Sequence, residues 1–125
     1  MNLTEIRDGK YHILALGTES GCQVADFIAK LEQDNPSESR KLQARLDYVA
    51  ENGPPRNEQQ CRALPEYNGF ELKTKKVRVL CFWDEGRLII CSIAFLKDGQ
   101  KTFKPFLEKL KKNQKEYFLE KEGGK

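Results

Sequence analysis

The sequence has a single histidine and no paired cysteines, and it lacks a glycine-rich phosphate loop. The four cysteines are Cys22, Cys61, Cys81 and Cys91. None of them stands in a C-x-x-C pair, so the usual spacing of a zinc site is absent. The lone His12 excludes the acid and base pair of a two-histidine ribonuclease. No G-x-x-x-x-G-K pattern occurs. These absences predict no metal site and no cofactor.

Long apolar runs are missing as well. No stretch is long and uncharged enough to cross a bilayer, and residues 1–10 alternate polar and charged side chains where a signal peptide needs apolar ones. We therefore expect a cytoplasmic protein with no membrane partner. The 125 residues, 38% of them hydrophobic, suit one domain over residues 1–125, with residues 119–125 as a flexible tail.

Charge is unevenly divided along the chain. Residues 1–66 carry 8 basic and 11 acidic side chains, a net charge of −3, whereas residues 67–125 carry 14 basic and 8 acidic ones, a net charge of +6. A basic half within one domain suits a phosphate backbone or an acidic protein partner. The alternative is a solvated lysine-rich surface, which is the simpler interpretation for residues 111–125.

The first half of the chain is predicted to form one strand and two helices. Residues 11–16 form a short β-rich run, and an apolar stripe with helical spacing follows at residues 24–31. Asn35 and Pro36 predict the start of a second helix, with Glu38 returning a bond to the cap. Gly53 and two prolines end that helix. Its predicted buried residues are Leu42, Leu46, Val49 and Ala50.

The second half changes to the period of a sheet. After a polar connection over residues 56–66, three strands are predicted at residues 70–73, 77–83 and 88–96 as an antiparallel meander. Cys81 and Cys91 lie in apolar runs and are expected to pack as small hydrophobes. The order predicts an α+β domain with a short N-terminal strand, an αα-hairpin, the meander and a C-terminal helix over residues 103–119. That helix would bury Phe106, Leu107, Leu110, Tyr117 and Phe118.

Five segments in this order carry a family resemblance. They are V-A-D-F-I-A-K-L (24–31), L-D-Y-V-A-E-N-G-P-P (46–55), G-F-E-L-K (69–73), V-R-V-L-C-F-W-D-E-G-R-L-I-I (77–90) and F-L-K-D-G-Q-K-T (95–102). Together they resemble the RelE/ParE toxin superfamily, and most of all its HigB-like, phage-derived branch. The resemblance implies a RelE-like fold and a ribosome-associated, metal-free mRNA endonuclease (an mRNA interferase) that inhibits translation. It also implies a cognate antitoxin protein as partner.

The candidate catalytic residues lie in the meander. RNA cleavage without a metal needs fixed cations at the phosphate and a group that takes the proton of the ribose 2′-OH. Arg78 is the first candidate, because its planar fork suits a phosphate; the alternative is an ion pair with Glu71 or with a helix carboxylate across the sheet. Glu71 and Lys73 share a strand face and are candidates for general base and phosphate contact, or else for an ordinary surface salt bridge. The remaining RNA-binding candidates are Lys75, Lys76, Lys97 and Lys101.

The sequence also departs from the family pattern. Gly69 and Glu71 stand where the RelE branch carries lysines, and no histidine or tyrosine matches the proton donors that some members place near residues 95–102; Tyr117 is the remaining candidate to approach that segment. The general acid is therefore unassigned. A second hypothesis follows: a non-catalytic inhibitor or binding module on the same fold, as in the ParE branch, which acts on DNA gyrase.

Overall fold

The structure is a computed structural model that describes residues 1–97 and 103–123. Over these ranges it is an α+β fold with three helices and a six-stranded sheet, which confirms the predicted fold class. No helix in the described ranges is both long and apolar enough for a bilayer span. The elements in chain order are β1 (Asn2–Asp8), β2 (His12–Gly17), α1 (Gln23–Asp34), α2 (Pro36–Asn52), β3 (Cys61–Leu64), a 3-10 turn (Pro65–Tyr67), β4 (Gly69–Lys73), β5 (Val77–Trp83), β6 (Leu88–Leu96) and α3 (Phe103–Gly123).

The strands lie in the order β1-β2-β6-β5-β4-β3. The predicted antiparallel meander of β4, β5 and β6 is confirmed, with β5 and β6 over the expected residues. The N-terminal strand is confirmed as β2, which pairs in parallel with β6 so that His12 lies opposite Leu88. Because β2 pairs with β6, the β1–β2 hairpin extends the meander on the β6 side.

Two strands were not predicted. β1 forms a hairpin with β2, although its side chains are mostly exposed. β3 occupies four residues of the segment that we expected to be a polar connection, and it pairs with β4. Both are edge strands with one neighbour, so they carry weak apolar patterns and owe their conformation to the pairing.

Helices cover both faces of the sheet. The face under α1 and α2 buries Ile13, Leu46 and Val79, whereas the face under α3 buries Leu80, Phe82 and Leu110. Alternation along each strand separates the two sets. The predicted stripes of α2 and α3 are confirmed, since all five α3 residues belong to the second cluster, Phe106, Leu107 and Phe118 being only partly buried.

Two capping hydrogen bonds were predicted at the start of α2, and the structure contains one of them. Asn35 Oδ1 accepts a hydrogen bond from the Glu38 backbone N–H at 3.2 Å. The predicted return bond from Glu38 is wrong, because the Asn35 N–H donates to the Leu31 carbonyl at 2.8 Å. The carboxylate of Glu38 instead reaches the turn between β4 and β5.

Helix α3 continues four residues past the predicted end and is tied to the rest of the molecule by polar contacts. Tyr117 Oη donates to Asp84 Oδ2 at 2.6 Å, and Lys121 Nζ forms an ion pair with the same carboxylate at 2.9 Å. Asn113 Nδ2 donates to Ser92 Oγ at 3.0 Å. These contacts hold α3 to the turn after β5 and to β6.

Candidate functional site

Strands β4 and β5 bring the predicted catalytic side chains to one face. Phe70 and Leu72 belong to the core under α1 and α2, so Glu71 and Lys73 share the opposite face of the strand, as predicted, and that is the face of α3. Lys73 is the register partner of Arg78 on β5. The expectation that Arg78 borders the other two is therefore confirmed as a matter of geometry.

Glu71 lies between two arginines. Its Oε1 is 3.6 Å from Arg62 Nε and its Oε2 is 3.9 Å from Arg78 Nε. Glu71 is only 3% exposed and Arg78 is largely buried, whereas Arg62 is half exposed, so the carboxylate is a buried charge rather than part of a surface salt bridge. Arg62 was missed in the sequence because β3 was read as a connection. Its place opposite Glu71 depends on the β3–β4 register.

Arg78 is less open than the sequence indicates. Its side chain is 12% exposed, and Nη1 donates to the carbonyl oxygens of Thr74 at 2.6 Å and Val77 at 2.9 Å. The alternative interpretation, an ion pair with Glu71, is present in the structure. Among the described residues, its hydrogen bonds are made by Nη1, and Nε is the atom that faces Glu71.

Lysines surround this arginine at one end of the sheet. We define the basic end as Lys73, Lys75, Lys76, Arg78 and Lys97. Lys75, Lys76 and Lys97 are exposed, and the Lys97 N–H donates to the Lys76 carbonyl at 2.7 Å, which joins the turn after β4 to the end of β6. None of the four lysines forms an ion pair within the described ranges. The predicted Lys101 lies outside the residues that the structure describes.

The turn that carries Lys75 and Lys76 is fastened by a buried carboxylate. Glu38 Oε1 accepts from Thr74 Oγ1 at 2.8 Å and from the Lys76 N–H at 2.9 Å. Burial disfavours the charged form of Glu38, but the hydrogen bonds from Thr74, Lys41 and Lys76 outweigh it and lower the pKa of this carboxyl. The sequence predicted a helix-capping role for Glu38. Its contact with Thr74 was not predicted, because the two residues are 36 positions apart in the chain.

Tyr117 does not reach the basic end. Its hydroxyl is bonded to Asp84, which follows the last residue of β5, whereas Arg78 is near the first. Burial and the bond to Asp84 raise the pKa of Tyr117 well above its usual range. The predicted approach of Tyr117 to residues 95–102 is not tested, because residues 98–102 lie outside the residues that the structure describes. His12 is also remote, because it pairs with Leu88 at the other end of β6.

The cysteines have the packing role that their apolar runs predict. Cys61, Cys81 and Cys91 are buried, and the Sγ atoms of Cys81 and Cys91 are 3.5 Å apart. Burial raises the pKa of Cys61 to about 11 and that of Cys81 well above its usual value, so their thiolate forms are disfavoured.

One group of residues in the described ranges has the side chains and spacing of a metal site. The ligand atoms of Glu5, Asp8 and His12 lie within 4.8 Å of one another on the β1–β2 hairpin. All three side chains are exposed, and His12 Nε2 is hydrogen-bonded to Glu5 at 2.9 Å. The group is at the opposite end of the sheet from the basic end.

Comparison with known families identifies the family to which this chain belongs. The family described as "Phage derived protein Gp49-like (DUF891)" matches residues 26–115, a segment that includes Arg62, Glu71 and Arg78. The chain belongs to this family. The Gp49-like family is toxin-like and of RelE/HigB type, so the toxin resemblance is confirmed at that level. Such a family implies an antitoxin partner in general terms. A comparison with curated proteins finds no match.

Proposed function

We propose that this Gp49-like protein is the toxin of a type II toxin–antitoxin pair, of the HigB-like branch, and that it cleaves mRNA at the ribosome without a metal. The observation that supports the proposal is the cluster in which Glu71 lies between Arg62 and Arg78, beside lysines that form no ion pair within the described residues. A carboxylate next to fixed cations, with exposed lysines at the same end of the sheet, suits phosphodiester chemistry.

The reaction that fits these groups is an internal transesterification. Glu71 takes the proton of a ribose 2′-OH, the 2′-oxygen bonds to the adjacent phosphorus, and the bond to the 5′-oxygen breaks to leave a cyclic phosphate. Arg78 and Lys73 would neutralise the charge on the phosphorane oxygens. The 5′-oxygen takes its proton from solvent, because His12 and Tyr117 lie at the other end of the sheet.

The exposed lysines of the basic end would hold the RNA backbone on either side of the scissile phosphate. Lys75 and Lys76 lie on the turn after β4, and Lys97 lies beside them after β6. Lys101 is a further candidate from the sequence. Contacts of this kind position the chain without reading its bases.

Primer extension on mRNA from a cell-free translation reaction tests the proposal. We expect new 5′ ends with the wild-type protein and a loss of about 10²-fold or more with Glu71→Gln or Arg78→Lys, since each removes one catalytic group but keeps a hydrogen-bonding side chain. Lys30→Ala, at an exposed position on α1, is the matched control and should cleave as wild type does. Intact message in the presence of ribosome-bound protein would overturn the endonuclease.

The engagement of Arg78 supports a second candidate function. Its bonds to Thr74 and Val77 and its ion pair with Glu71 are those of a structural arginine. A non-catalytic inhibitor or binding module on this fold, like the ParE branch, needs a basic surface but no acid and base. Uncleaved message together with inhibited DNA gyrase would support this function over the nuclease.

A further inference from the structure

We propose that Glu38, on the helix behind the sheet, is a positioning residue: through Thr74 it orients the Arg78 guanidinium toward the RNA backbone. The part of this inference that concerns RNA rests on the proposed function. The contacts themselves are a property of the free protein. They form a chain from α2 to the basic end in two steps.

The first step fixes the turn between β4 and β5. Glu38 Oε1 accepts from the Thr74 hydroxyl at 2.8 Å and from the Lys76 N–H at 2.9 Å. The carboxylate side chain is only 4% exposed, so water is a poor substitute for it. Its other oxygen, Oε2, is 3.1 Å from Lys41 Nζ, which is half exposed.

The second step passes from Thr74 to Arg78. Because the Thr74 hydroxyl donates its proton to Glu38, its oxygen is free to accept the Val77 N–H at 3.0 Å. The Thr74 N–H donates to the Val77 carbonyl at 3.0 Å. With the peptide fixed in this way, the Thr74 carbonyl accepts from Arg78 Nη1 at 2.6 Å. The direction of the Arg78 guanidinium plane thus depends on Glu38, which lies in helix α2.

The ends of the turn have anchors of their own. Arg45 Nε donates to the Lys73 carbonyl at 2.9 Å, and the Lys97 N–H donates to the Lys76 carbonyl at 2.7 Å. Loss of the Glu38 contact should therefore loosen the middle of the turn without unpairing β4 from β5. A buried carboxylate adds little to stability by itself, and its effect here is to select one geometry for the turn.

Substitutions at Thr74 test the chain of contacts. Thr74→Val keeps the shape of the side chain but removes the hydroxyl, and Thr74→Ser keeps the hydroxyl. We expect Thr74→Val to lower kcat by about tenfold or more with little change in KM, because a displaced charge affects the transition state most, and we expect Thr74→Ser to retain wild-type kcat. Glu38→Gln should lie between them. Lys41→Ala, which removes only the exposed contact to Glu38, should leave both constants unchanged.

A measurement on the free protein separates this inference from the proposed function. In 15N-resolved NMR spectra, the Nε and Nη signals of Arg78 should broaden or shift in Thr74→Val and keep their wild-type form in Thr74→Ser, and the Lys76 amide should exchange faster. A wild-type protein that does not cleave RNA would refute the nuclease and leave this test standing. Unchanged Arg78 signals in a folded Thr74→Val variant would overturn the positioning role, as would wild-type kcat.

Discussion

The carboxylate of Glu71 is 3.9 Å from Nε of Arg78, and both side chains are largely shielded from water on the face of the sheet under α3. Arg62 approaches the same carboxylate from β3 at 3.6 Å. The pair is at once the centre of the proposed active site and a structural element. Substitutions at either position should therefore change stability as well as activity, and the two effects must be measured together.

Arg78→Ala should destabilise the fold by about 3 kcal/mol, because it leaves Glu71 with a weakened counter-charge and two carbonyl oxygens without their donor. Urea unfolding of Arg78→Ala, Glu71→Gln and the double variant measures the coupling. Strictly additive losses would show that the two side chains do not stabilise each other. Lys30→Ala should change the free energy of unfolding by less than about 0.5 kcal/mol.

Binding to single-stranded RNA should weaken steeply with salt. Phosphate contacts from Lys73, Arg78, Lys97 and Lys101 would each contribute about −0.7 to the slope of log K against log salt, or about −3 together. Lys97→Ala should make the slope shallower by about 0.7, whereas Lys30→Ala should leave it unchanged. An RNA-binding constant that does not change with salt would show that the basic end is not the nucleic-acid site.

Asp84→Asn should lower stability near neutral pH by about 1–3 kcal/mol, because Tyr117 and Lys121 lose their charged acceptor. Burial raises the pKa of Asp84, but the bonds from Tyr117, Lys121 and the Glu85 N–H outweigh it and lower the pKa overall. A lowered folded-state pKa stabilises above the unfolded value of about 4, and that stabilisation disappears as the pH falls through the folded value.

The difference between wild type and Asp84→Asn should accordingly shrink below about pH 4 in thermal melts across pH. Asp47→Asn is a suitable control, since its ion pair with Arg7 involves a carboxylate that is 67% exposed. A stability difference between wild type and Asp84→Asn that stays the same below about pH 4 would mean that the charge of Asp84 does not contribute to stability.

Gly69→Ala should destabilise the protein by about 3 kcal/mol or more. A Cβ added at Gly69 would lie 2.0 Å from the Cys81 carbonyl oxygen and 3.0 Å from the Phe82 Cα, so two strands would have to separate. Gly123→Ala, with nothing within 4 Å of the added carbon, should be neutral. Denaturant midpoints compare the two, and equal midpoints would disprove the close approach of β4 to β5.

The antitoxin is expected to present an acidic or amphipathic segment to the basic half of the chain. One mode of inhibition would displace α3, whose lysine-rich end lies at the end of the described chain, and would protect β5 or β6 from amide exchange. The bonds from Tyr117 and Lys121 to Asp84 argue against displacement, and β5 and β6 are already paired on both sides. We expect slower amide exchange at Lys75, Lys76 and Lys97 in the complex. Slowing restricted to α1 and α2 would contradict this mode of inhibition.

The amino-acid sequence by itself determined the elements whose side chains repeat with a clear period. The stripes of α1, α2 and α3 and the apolar runs of β5 and β6 were predicted to within a few residues, because burial of one face requires that repetition. The shared face of Glu71 and Lys73 followed from the same alternation. The end of α2 at Gly53 was predicted from the residue types, and the backbone φ of 82° there favours glycine.

Only the tertiary structure decided what those side chains meet. Strands β1 and β3 form because a neighbouring strand supplies their hydrogen bonds. Their own residue patterns do not indicate which strand that is. Arg62 reaches Glu71 through the β3–β4 register, and Glu38 reaches Thr74 over 36 residues of chain. A residue type and its period determine which way a side chain faces. Its partner is determined by how separate elements pack, which is a property of the whole chain.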